Sequence, residues 1–168
     1  NAQRYFAKYN KQKRTFEALT ELIQETADDI QYLESISNAL DIALSEADLA
    51  QIKEELMQSG YIRRKHTKKK VKLTSKPMHY ISSDGYDMYV GKNNLQNEEL
   101  TFSFANGNDW WFHAKGAPGS HVIVKSGGDE LPDRTFEEAG RLAAYYSKNR
   151  GADKVEIDYI PVSYTHLT

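Results

Sequence analysis

At Pro77 the spacing of apolar residues changes from threes and fours to twos, and that change fixes the fold class before any motif is considered. Upstream, Phe16, Leu19, Ile23, Thr26, Ile30 and Leu33 follow a 3-4-3-4-3 pattern, the seam of a coiled coil, while Glu17, Glu21, Glu25 and Asp28 stay off it. Asn1 begins in mid-pattern with no cap, so the seam calls for an antiparallel mate upstream in a longer protein. A second helix is announced by Ser45 with Asp48 three residues on, and is closed by Gly60 after Leu49, Ile52 and Leu56. Downstream of Pro77, HYISSDGYDMYVG reads as two short strands joined at Asp84-Gly85, a hairpin signal. Residues 134–149 form an amphipathic helix with Phe136, Ala139, Leu142, Ala143 and Tyr146 on its apolar stripe, and KVEIDYI, residues 154–160, alternates as a last strand. The expected fold is α+β: a helical coiled-coil region over 1–62, a basic linker over 63–76, a mostly antiparallel sheet domain with packed helices over 77–160, and an atypical, truncated or foreign tail over 161–168.

The net charge of −2 conceals a strong asymmetry. Residues 60–76 carry eight basic groups and no acidic one, namely Arg63, Arg64, Lys65, Lys68, Lys69, Lys70, Lys72 and Lys76, while the flanking segments are each acidic by five charges. Such a cluster is an electrostatic footprint for phosphate, and its other reading is a solvated linker. Its position against the sheet domain favours RNA, with Arg63, Arg64, Lys68, Lys69 and Lys70 as contacts. Cysteine is absent, which removes disulfides and thiolate metal sites and fits a reducing, cytoplasmic setting. No secretory signal and no run of about 18 apolar residues appears, so no membrane association is expected.

The chemistry is concentrated in NDWWFHAKGAPGSHVIVK, residues 108–125. Trp110 and Trp111 are the chain's two tryptophans, and in a strand they face opposite ways. Alternation groups Asp109, Trp111 and His113 on one side and Trp110, Phe112 and Ala114 on the other. An acid, an indole and an imidazole in one row suit stacking on a base and holding a ribose or phosphate edge. Tryptophan and histidine also serve as satisfied core residues, which is the structural alternative. After this strand, Ala117-Pro118-Gly119-Ser120 fits a type II turn with Gly119 at the position needing positive φ, delivering His121 into the next strand. Gly91-Lys92-Asn93-Asn94 passes from a strand into a helix running to Leu100, an arrangement that makes Lys92 and Asn93 candidates for holding an anion. It is not a Walker A loop: five residues separate Gly85 from Gly91, and Asn93 stands where Ser or Thr would bind magnesium.

Three blocks, GYDMYVGKNNLQNEELTF (85–102), DWWFHAKGAPGSHVIV (109–124) and EEAGRLAAYYSKNR (137–150), resemble in order and spacing the NFACT-R RNA-binding domain of the NFACT family. The likeness spans residues 77–159, and the helical region resembles the end of that family's middle coiled coil. It implies an RNA-binding component of ribosome quality control. Bacterial members bind large ribosomal subunits that still carry peptidyl-tRNA, recruit alanyl-tRNA, and support alanine tailing of the nascent chain. Expected partners are therefore the large subunit, tRNA, rRNA and an upstream coiled-coil mate. The bond is made by the ribosome, so no enzyme activity and no cofactor are expected of this chain. The family's acid, tryptophan and histidine fall on Asp109, Trp111 and His113. The family's tRNA-contacting N-terminal domain is missing here, and its domain continues into a basic segment where this chain has PVSYTHLT. Two other classes stand beside this reading: a metal-dependent or acid/base enzyme using Asp109, His113 and His121, and an extracellular fibronectin-binding adhesin module.

Overall fold

The computed structural model describes residues 2–63 and 74–167. The chain divides between Glu34 and Ser35 into two units. The first is the greater part of helix α1 (Ala2–Ile42), whose apolar residues lie open: Phe16 is 72% and Ile23 69% exposed, and Leu19, Ile30 and Leu33 are exposed as well. The helix expected from the 3-4 spacing is thus present, and its seam faces solvent.

The second unit begins with the end of α1, where Ile36, Ala39 and Ile42 become buried. Helix α2 (Glu46–Gln58) starts with the capping box that the sequence announces: Asp48 N–H donates to the Ser45 side chain, and the Asp48 carboxylate accepts from the Ser45 N–H. Gly60 closes it at φ 81°. Ile52 is buried, but Leu49 is exposed, because the buried side of α2 is the polar row Asp48, Gln51 and Glu55 that faces the sheet domain.

Five strands make one antiparallel sheet in the order β1-β2-β4-β3-β5: β1 (Met78–Ile81), β2 (Asp87–Val90), β3 (Trp110–Ala114), β4 (Val122–Val124) and β5 (Ile157–Pro161). Gly85, at φ 89°, turns β1 into β2 as the Asp-Gly signal predicts. Between β2 and β3 run α3 (Asn94–Glu99) and a π-helical turn (Leu100–Phe104). Helix α4 (Asp133–Tyr145) covers one sheet face, sealing Met88, Val90, Phe112, Val122, Val124, Ala139 and Ala143 into the core. It ends at Tyr145, four residues short of the expected end at Asn149, because the chain turns at Tyr146–Ser147 to bridge Gly119.

That bridge also corrects the turn reading. Positive φ falls on Gly116, at 63°, and not on Gly119. Gly119 is required for a different reason: a Cβ there would lie 2.9 Å from Ser147 Cβ, where the two backbones pass. At the other end of the domain, β5 runs through Pro161, which pairs with Trp110, and Val162 is buried beside Leu100 and Ile123. The residues after Ile160 thus take part in the sheet and its second, smaller core.

Candidate nucleic-acid interface

The face of the sheet opposite α4 carries the candidate site. Strand alternation sends Trp110 and Phe112 toward α4, where Phe136 meets both rings edge-on at 5.9 and 4.9 Å. Trp111 and His113 therefore go to the open face, nearly parallel at a centroid distance of 5.6 Å. His121, just before β4, stands edge-on to both, 5.1 Å from Trp111 and 5.3 Å from His113. Two rings in one orientation and a third perpendicular to them make an aromatic corner.

The position of His121 is set from α3. Its N–H donates to Asn97 Oδ1 at 2.9 Å, and its carbonyl accepts from Gly91 N–H at 3.1 Å. One turn further along, Thr101 Oγ1 shares a hydrogen bond with His121 Nδ1 at 2.8 Å. Gly91 has no room for a side chain, since a Cβ would lie 2.2 Å from Asn97 Oδ1. Burial pushes the His121 imidazole down to about 4, and the neighbouring His113 adds to that push. His113 is likewise lowered by burial, which Asp158 and a backbone bond to Gly119 partly oppose. Both rings are accordingly neutral at pH 7, hydrogen-bonding and stacking groups rather than cations. The Trp111 Nε1–H is buried with no hydrogen-bond partner among the described residues, which leaves one donor at the corner unspent.

Asp109 does not belong to this row. It is 0% exposed, one residue before β3, with Oδ2 accepting from Lys125 Nζ at 2.5 Å and from Asn106 N–H at 2.8 Å. Its carboxylate fixes the turn into β3, and the same pair neutralises Lys125. Among the described residues no three of His, Asp and Glu converge as metal ligands would, and Asp109 keeps different partners from the two histidines.

The anion site expected at Lys92 and Asn93 is also corrected. Lys92 is 9% exposed, with Nζ 2.5 Å from Asp48 Oδ1. Asn93 caps α3 through Gln96 N–H and donates to Gln51 Oε1. Ser75 and Gln96 complete this buried polar hub. Burial alone would raise the Asp48 carboxyl, but the bonds from Lys92, Ser75 and the Leu44 N–H hold it at about 2. Of the basic run, Arg63 and Lys76 are described and exposed; Arg64, Lys65, Lys68, Lys69, Lys70 and Lys72 lie outside the described residues.

Pattern reading missed Asn97 and Thr101, which set His121, and a second group of rings on the same face. His79 stacks on Tyr89 at 4.7 Å, and Phe104 meets Tyr89 edge-on at 4.7 Å. The alternation of β1 and β2 that put Met78 and Tyr80, and Met88 and Val90, toward α4 was the signal for the first two. Phe104 had none, because π-helical geometry has no sequence period to read.

An antiparallel sheet backed by one helix, with aromatic rings on its other face, defines the class as an α+β domain. Residues 76–167 match the family model described as the NFACT protein RNA binding domain, and residues 1–75 match the model of the NFACT N-terminal and middle domains. The chain belongs to the NFACT family. It is 47% identical over 163 residues to the Rqc2 homolog RqcH of Streptococcus pneumoniae (strain D39), covering 96% of this chain and 29% of that protein. It is 38% identical over 167 residues to the Rqc2 homolog RqcH of Bacillus subtilis, covering 96% of this chain and 28% of that protein. A solved structure of the C-terminal part of the fibronectin/fibrinogen-binding protein from Streptococcus suis superposes with a TM-score of 0.87 at 46% identity, over 96% of this chain and 64% of that one. The chain thus spans less than a third of the length of these two relatives. No described helix is long and apolar enough to cross a membrane.

Proposed function

We infer that this chain is the RNA-holding part of a ribosome quality control factor. It grips tRNA or rRNA on a large ribosomal subunit that still carries peptidyl-tRNA, and so supports alanine addition to the stalled chain. The observation that carries the reading is the aromatic corner of Trp111, His113 and His121, on the open face of a domain that matches an RNA-binding family model. Neutral rings suit an unstacked base better than a bare phosphate. In this reading the protein is a scaffold and not an enzyme: it works in the cytoplasm, needs no cofactor, brings alanyl-tRNA to the subunit and leaves bond formation to the ribosome. The exposed seam of α1 would pair with a helix upstream in the full-length protein.

Phosphate attraction would come from the basic run, whose charge is plain from the sequence. Sedimentation of the chain with purified large subunits, across a salt series, tests both parts. The chain should travel with the subunits at low salt. Replacing Lys68, Lys69 and Lys70 by Ala should lower the slope of log K against log salt by about 2 to 3. A chain that stays in the supernatant, with or without added tRNA, would refute the reading.

A further inference from the structure

The sheet register places a second aromatic station on the face that carries the Trp111 corner. His79, Tyr89, Ile123, Trp111 and Ile160 are cross-strand partners in one row spanning all five strands. Ile123 is fully buried under Leu100 and Val162, so rings are presented on either side of this capped centre. On the far side, Tyr89 is braced by the edge of Phe104, which is 41% exposed. His79 lies on Tyr89 with only 13° between the planes, and its side chain is 46% exposed. Its Nε2 is 2.7 Å from Asp87 Oδ1, a contact that holds the ring in that orientation. A flat ring fixed on two sides and open on the third is a prepared stacking surface. Adjacent strands are about 4.8 Å apart, so His79 and Trp111, three strands from each other, are about 14 Å apart, a step that about two or three nucleotides of an extended strand cover.

We propose that His79, backed by Tyr89, is a second base-stacking station, and that the ligand of this face is an unpaired RNA strand crossing the sheet from the Trp111 corner. The proposal rests on the RNA-binding reading above and adds the class of RNA. Charge argues for unpaired bases over a duplex. Duplex RNA is held largely through phosphate and 2′-hydroxyl contacts, which call for free cations. Of the cations that strand alternation puts on this face, Lys125 is paired with Asp109 and Lys115 lies 3.6 Å from Glu156. What the face has in excess is rings.

Fluorescence anisotropy of the whole chain with a labelled, unstructured RNA oligonucleotide and with a blunt RNA duplex tests this. His79→Ala should weaken oligonucleotide binding by about fivefold to a hundredfold and leave duplex binding unchanged. His79→Phe, which keeps a flat ring and removes the ring nitrogens, should restore it. Because His79 is exposed, neither variant should alter the melting temperature. Oligonucleotide binding by His79→Ala at the wild-type level would overturn the second station, as would a His79→Phe variant no better than His79→Ala, or equal losses on duplex and oligonucleotide. Trp111→Ala in the same series separates the two claims: if it weakens binding and His79→Ala does not, only the second station falls, and if neither does, RNA binding by this face falls with it.

Discussion

Trp110 and Trp111 are neighbours in sequence with opposite surroundings. Trp110 packs with Phe136 and Phe112 beneath α4, whereas Trp111 lines the open corner and rests only partly on the smaller core of Leu100, Ile123 and Val162. Trp110→Ala should therefore cost about 3 kcal/mol of folding stability. Trp111→Ala should cost less than that in stability but about 1 to 3 kcal/mol in RNA binding. Melting curves and binding isotherms for the two variants check the contrast, and equal destabilisation by both would contradict it. His121 makes a second residue-level prediction. Its imidazole titrates near 4 when folded and near 6.5 when free, so between those values the unfolded chain binds more protons. Stability is then full above pH 6.5 and falls as pH drops toward 4, by up to about 3 kcal/mol. Urea unfolding at a series of pH values should show that loss, and His121→Gln should flatten it. Asp48, held at about 2, loses its contribution as pH falls below its free value of 3.8, which places its loss at the acid end of the His121 range.

Helix α2 is joined to the sheet domain through polar contacts rather than an apolar stripe. Asp48 serves both the Ser45 cap and Lys92, and its removal leaves a buried ammonium unpaired. Asp48→Ala should cost about 3 to 5 kcal/mol, against about 1 kcal/mol for Ser45→Ala, which loses only the cap. Chemical denaturation of both variants measures the difference. The same contacts explain what pattern reading reached. The capping box and the Asp84-Gly85 hairpin were legible because every partner lies within a few residues. Strand alternation correctly separated Trp111 and His113 from Trp110 and Phe112. Lys92, Asn93 and Asp109 were misread because their deciding partners, Asp48, Gln51 and Lys125, are 44, 42 and 16 residues away. Local spacing offers a lysine at a helix start as an anion site; only the tertiary structure shows that charge already engaged. Gly119 misled for the same reason, since its neighbour Ser147 comes from beyond α4.

At the scale of the whole molecule, the two units differ in how they are held. Residues 2–34 form helix with exposed apolar residues, whereas β2, β3 and β4 carry a continuous core. Hydrogen exchange should release the amides of residues 10–30 well before those of Met88–Val90 and Val122–Val124, since helix without tertiary packing frays locally. Uniform protection along the chain would show that α1 finds a partner in solution. The sheet order has a further consequence, for the timing of folding. Strand β3 takes its two neighbours from opposite directions in the sequence: β4 follows within a dozen residues, but β5 arrives only after α4. A chain emerging from the ribosome therefore presents β3 with one bare edge, and with the Trp111 side still lacking Val162, until residues 157–162 are out. Non-local pairing of this kind is slow, and an unpaired edge invites strand addition by other chains. The sheet thus cannot close until β5, the last of its five strands along the chain, has been made.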